Sequence, residues 1–218
     1  MSRNRTAEEV KQHHIDKMGK ELGTIFNALW NEYVELFGTK PSRIDLLNRS
    51  APIFFKVVEQ TLWKDILLHI TRITAPEKSM GKDILTVQRL PNLVEVEIKQ
   101  DIVNLIDNVK ENTEFCKDWR NRRIAHSDLD LSIKEGAEPL KPASRNKVEE
   151  ALKSISNVLN AVEHYYLNST TIYEKPPYSG GVIDLLYIIN DGLRADEQRR
   201  KRVKEGNSSE DDYTALDL

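Results

Sequence analysis

Residues 96–126 read VEIKQDIVNLIDNVKENTEFCKDWRNRRIAH, and this stretch decides the fold. Val96, Ile98, Ile102, Leu105, Ile106 and Val109 follow helical spacing, so one side of the segment faces a core and the other faces water. Asn112-Thr113 marks an expected break, after which Phe115 and Trp119 lead into Arg120-Asn121-Arg122-Arg123-Ile124-Ala125-His126. A guanidinium is always charged and holds phosphate through paired hydrogen bonds, while an imidazole near its ordinary pKa moves protons at neutral pH. Arg120 and His126 are therefore candidate parts of a metal-independent RNA-cleaving site, with Asn121 orienting a phosphate or a side chain. At 100° per residue Arg120 and His126 stand about 120° apart on an α-helix, whereas Arg122, four residues before His126, shares its face. Arg122 and Arg123 are candidates for contacts to RNA backbone phosphates.

The helical period extends in both directions. Toward the amino end, Thr6 fits an N-cap with an acid three residues on. Ile15, Met18, Leu22, Ile25, Phe26, Leu29, Tyr33 and Leu36 then describe a long amphipathic helix that stops at Gly38, with Pro41 beyond. A short helical piece over residues 43–49 follows. Ser50 caps a helix with Pro52 in its first turn and Phe54, Phe55, Val58, Leu62, Ile66, Leu67 and Ile70 on its apolar side, ended by Pro76. Residues 77–90 are polar, contain Gly81, and read as a connection with one short helical turn.

Toward the carboxyl end, Gly136, Pro139 and Pro142 make residues 129–142 a loop. Ser144 opens a helix that carries Val148, Leu152, Ile155, Val158, Leu159 and Val162 and ends by Asn168. Past residues 170–181, rich in Pro and Gly, a fifth helix begins at Val182 and turns strongly charged after Arg194. Its apolar half is expected to dock and its charged half to project. The expected architecture is all-α: an up-and-down helical bundle of four main helices over residues 1–168, a loop with an additional C-terminal helix over 169–204, and a flexible acidic tail over 205–218.

Composition narrows the function. Charged residues make up 31% and hydrophobic residues 39% of the 218, which is enough apolar material for a core and too ordered a mixture for intrinsic disorder. The net charge is -3, so contact with a polyanion must come from a local basic patch, at residues 120–123 or 199–202. The one cysteine, Cys116, excludes an internal disulfide. The first residues lack a signal-peptide stretch and no run approaches the ~18 apolar residues of a membrane span, so a cytoplasmic protein is expected. No glycine-rich phosphate loop, nucleophile elbow or carboxylate cluster supports a small-molecule enzyme, and no cofactor is expected.

An Arg, a polar residue and a downstream His on a helical chain resemble the signature of the HEPN domains, small all-helical bundles; Arg120, Asn121 and His126 occupy the three positions. A closer similarity is to the AbiU-type HEPN proteins of bacterial abortive-infection defence. There a long helix ends in an Arg-apolar-Thr-Asp sequence before a linker containing lysine and leucine. The counterpart here is Thr71-Arg72-Ile73-Thr74-Ala75, then Gly81-Lys82 and Leu85, with Ala75 in place of the acid. The similarity covers residues 15–167 and leaves the fifth helix outside. It implies an HEPN-type endoribonuclease, a toxin or effector of anti-phage defence that cleaves RNA. It also implies a homodimer whose two motifs face each other across a cleft. Such an effector is expected to be held by a neutralising or regulatory protein partner until infection. The competing class is a non-catalytic binding or scaffolding module for nucleotide, RNA or protein, and the intact Arg-Asn and His favour the enzyme.

Each residue also has a plainer reading. Residues 120–123 suit a solvated helix end, where the macrodipole favours positive charge. His13, His14 and Asp16 point to different helix faces, so no metal site is expected. Cys116 reads as a small buried residue, Trp30, Trp63 and Trp119 as core, Arg72 as the partner of an acid, and residues 199–202 as a solvated helix end.

Overall fold

The computed structural model describes residues 7–38, 40–125, 138–173 and 181–213. It begins with α1 (Ala7–Thr24), a π-helical segment Ile25–Trp30, α2 (Asn31–Phe37), α3 (Pro41–Ser50) and α4 (Pro52–Ile73). A hairpin of β1 (Lys78–Ser79) and β2 (Lys82–Asp83) and a 3-10 turn Val87–Asn92 lead to α5 (Val96–Trp119). A second π-helical segment Arg120–Ile124 ends that helix, and α6 (Arg145–Leu167), α7 (Val182–Lys204) and a 3-10 turn Glu210–Asp212 complete the chain. The protein is all-α, and the hairpin holds the only strands among the described residues.

The sequence period maps onto these elements with local departures. The long amphipathic helix carries an inserted π turn at Ile25–Trp30, which slips the apolar phase by one residue. Trp30 is buried and Leu29 is not, and the slip lets the stripe of Ile15, Met18 and Leu22 join that of Tyr33 and Leu36 with both buried. On α4 the expected face begins late: Phe55 is buried while Phe54, with Ile53 and Val57, stands exposed. The break expected at Asn112-Thr113 is absent. Thr113 turns its hydroxyl back to the Val109 carbonyl (2.8 Å) and Asn112 donates to Asn108 Oδ1 (3.1 Å), so both polar side chains are satisfied within an unbroken α5. Residues 78–83 turn sharply because Met80 and Gly81 both take positive φ, as a two-residue hairpin requires; helix returns only at Val87–Asn92.

Contacts group the chain into two units, Met1–Asn31 with Gln60–Pro177, and Glu32–Glu59 with Tyr178–Leu218. In the first, α5 and α6 form the main pair and α1 packs on α6. Met18, Leu22, Ile66, Leu67, Ile70, Leu90, Ile102, Leu152, Ile155 and Leu159 are fully buried there. Polar clasps tie the helix ends. Lys11 is buried, bonds Glu95 at 3.0 Å and lies 4.0 Å from the Tyr166 ring centroid. The Thr86 hydroxyl is shared between the Ile73 and Ala75 carbonyls (3.0 and 2.6 Å), and Gln88 donates to the Thr74 carbonyl (2.7 Å). The orphan carbonyls that end α4 are thereby satisfied.

In the second unit α3 packs on α7, whose buried residues are Val182 and Leu186. The Glu32 carboxylate accepts from the Val182 amide at 2.8 Å and stands where a Cβ on Gly181 would fall, so the first turn of α7 is capped by an acid. The stretch expected as a flexible tail is turned back over residues 207–213. Ser209 and Asp212 cap each other around the 3-10 turn, and Arg202 forks onto Asp212. That arginine first, and the Ser209 amide second, hold the Asp212 carboxyl well below the usual carboxylate range. Residues 214–218 lie outside the described residues.

Leu152→Ala should lower Tm by roughly 5–15 °C, because the α5–α6 core loses a fully buried side chain whose truncation costs about 2–5 kcal/mol. Ile53, 82% exposed, is the control: Ile53→Ser should leave Tm within about 2 °C of wild type in the same calorimetric scan.

Candidate functional site

The end of α5 sorts its polar side chains into two sets. Arg120, Asn121 and Arg123 are exposed, while Asp118 and Arg122 keep only 16% and 23% of their side-chain surface. In the exposed set, Arg120 donates from both Nε and Nη2 to Asn121 Oδ1, at 2.8 and 2.6 Å. One acceptor gripping two donors fixes the plane of the guanidinium and leaves the Nη1 edge and the remaining Nη2 proton toward solvent. No carboxylate among the described residues pairs with Arg120 or Arg123. The Arg123 cation sits 5.6 Å from the centroid of the Trp119 ring.

The second set holds the chain where it returns at residues 138–141. Asp118 Oδ2 accepts from the Lys141 amide (2.7 Å), and Trp119 Nε1 donates to the Lys141 carbonyl (2.8 Å). Arg122 Nη2 donates to the Glu138 carbonyl (2.6 Å), and its Nη1 lies 3.5 Å from Asp118 Oδ1. Lys141 Nζ pairs with Glu114 at 2.7 Å and holds that carboxyl below its usual range. Trp119, expected in the core, is thus a half-buried residue at the edge of this junction. It needs that edge because its indole N–H requires an acceptor.

Between the two sets runs the π turn Arg120–Ile124, closed by the Ala125 amide donating to the Arg120 carbonyl at 2.8 Å. An i→i+5 bond widens the turn, so the α-helical arithmetic that set Arg120 about 120° from His126 does not hold across these residues. His126, the expected proton carrier, lies outside the described residues.

Other sequence candidates find structural partners. Arg72 Nη2 bonds Glu21 of α1 (2.8 Å) and His69 Nδ1 (3.0 Å). His14 Nε2 donates to the Thr86 carbonyl at 3.0 Å, and burial lowers its pKa. Among the described residues no three His, Cys, Asp or Glu side chains converge as a metal site. In the 199–202 run, Arg199 and Arg200 pair with Asp196 and Arg202 with Asp212. Sequence reasoning missed Asp118 and Lys141. Asp118 stands four residues before Arg122, a readable helical ion-pair spacing, but its bond to Lys141 spans 23 residues and leaves no local signal.

The family model for HEPN AbiU2 proteins matches residues 7–180, and the chain belongs to that family: it is an abortive-infection-related HEPN module. The match ends before α7. No curated protein and no solved structure matches the chain. Among the described residues no helix is long and apolar enough to cross a membrane.

Cys116 is fully buried one turn before Arg120, and burial pushes its thiol up to about 12. At pH 8 only about one thiol in ten thousand is then ionised, and a thiol reacts through its thiolate. Native protein should therefore show no reaction with Ellman's reagent over minutes and one thiol per chain after denaturation. Rapid native reaction would contradict this placement of α5.

Proposed function

We propose that this HEPN AbiU2-family chain is a metal-independent endoribonuclease, an effector of abortive-infection defence that cleaves RNA in the cytoplasm. One observation carries the proposal: an exposed guanidinium, Arg120, held by Asn121 with its remaining N–H edge free and no carboxylate among the described residues to neutralise it. A surface arginine kept in one orientation by a neighbouring amide is prepared to bind a planar anion at little entropic cost.

The reaction needs the ribose 2′-OH deprotonated, the phosphorane charge stabilised and the 5′-oxygen protonated as it leaves. The 2′-oxygen attacks phosphorus, the P–O5′ bond breaks, one proton leaves the 2′-hydroxyl and one reaches O5′. Arg120 stabilises the phosphorane oxygens, Asn121 orients Arg120, and His126 carries protons. Arg123, beside the Trp119 face, contacts a neighbouring backbone phosphate. Two chains pair so that their motifs share one cleft, each contributing an Arg–His set, and a protein partner restrains the pair before infection.

Purified protein incubated with total and defined RNA in EDTA should cleave it. Arg120→Ala and His126→Ala should each slow cleavage by about 10²- to 10⁴-fold while leaving Tm unchanged. Cleavage by both variants at the wild-type rate would assign the activity elsewhere, and RNA binding without cleavage by the wild type would make this a binding module.

A further inference from the structure

The five interactions at residues 138–141 hold more than a loop end. Asp118 and Trp119 directly precede the π turn and Arg122 lies inside it, and all three bind the backbone of the returning chain. Both the amide and the carbonyl of Lys141 are satisfied by side chains from α5, so the contact fixes the returning backbone along two directions. A π turn carries one residue more than the α-helix would, and its hydrogen bonds are unusual enough that such turns persist where surrounding contacts demand them. Relaxation to α-helix would rotate the residues after the turn by about 100° and separate Asn121 Oδ1 from the Arg120 donors.

We infer that Asp118, Trp119 and Arg122 are positioning residues. They bolt the chain at Glu138 and Lys141 to the end of α5 and so keep the π turn that presents Arg120 and Asn121. Arg122, expected from sequence to touch RNA beside Arg123, has both terminal nitrogens turned to partners within the chain. Its role is to hold rather than to bind. The inference rests on the proposed RNase activity, but it concerns residues that touch neither phosphate nor ribose.

The test combines three readouts on full-length protein: the single-turnover cleavage rate at saturating RNA in EDTA, affinity for a 2′-O-methylated RNA that cannot be cleaved, and hydrogen exchange at the Lys141 amide. Asp118→Ala should slow cleavage by about 10- to 100-fold, the scale expected when catalytic groups are misplaced. Affinity should stay within about threefold, and Lys141 exchange should rise by about tenfold or more as its acceptor is lost. Asp118→Asn keeps an acceptor oxygen and should recover most of the rate. Trp119→Phe, which removes only the indole N–H, gives a milder change in the same direction should Asp118→Ala fail to fold. Faster Lys141 exchange with an unchanged rate overturns the inference alone, as does unchanged exchange. Equal loss of rate and affinity, unrescued by Asp118→Asn, would make these residues RNA contacts. A wild type that cleaves no RNA overturns the proposed function and this inference together.

Discussion

A single backbone bond, from the Ala125 amide to the Arg120 carbonyl five residues back, sets the geometry on which the candidate site depends. It widens the last turn of α5 where the chain must deliver its charged side chains. On one side, Asp118, Trp119 and Arg122 meet a returning segment and are partly buried. On the other, Arg120 and Asn121 meet water and each other. Placing four polar residues of one turn in two environments is a geometric task that a regular helix performs poorly. The inserted residue supplies the missing rotation.

That turn stands on a rigid support. The α5–α6 pair buries Ile102, Ile106 and Val109 against Leu152, Ile155 and Leu159, and close-packed helices transmit little local motion. At the opposite end of the pair the Lys11, Glu95 and Tyr166 clasp fixes the start of α5. A buried lysine is tolerable because Glu95 and the Tyr166 ring face replace its water. A catalytic arginine on such a scaffold can be both exposed and oriented, which a loop residue rarely achieves.

What the sequence disclosed follows from what is local. The apolar period of 96–109 and 148–162 specified two helices and their buried faces, and Ser144, Gly38 and Pro52 marked their neighbours' ends as the structure has them. Arg120, Asn121 and His126 were legible as types at a spacing. Both π turns were illegible, because a period of apolar residues fixes the mean repeat and hides one extra residue; at Trp30 the slip shows only as the wrong neighbour buried. The Met80-Gly81 hairpin was missed because only the glycine announces itself. The junction with Lys141 and the return of Asp212 to Arg202 join chain positions too distant, or too dependent on backbone direction, for composition to reveal.

The chemistry assigned to Arg120 leaves a mark on its product. If the 2′-oxygen attacks phosphorus while a guanidinium carries the developing charge, each cut must leave a 2′,3′-cyclic phosphate on one fragment and a 5′-hydroxyl on the other. The most direct measurement is therefore end-group analysis of RNA fragments made by the wild-type protein in EDTA, with Arg120→Ala beside it. Cyclic phosphate and 5′-hydroxyl ends that vanish in the variant are the predicted result; fragments bearing 5′-phosphate, or cyclic-phosphate fragments formed equally by the variant, would contradict it.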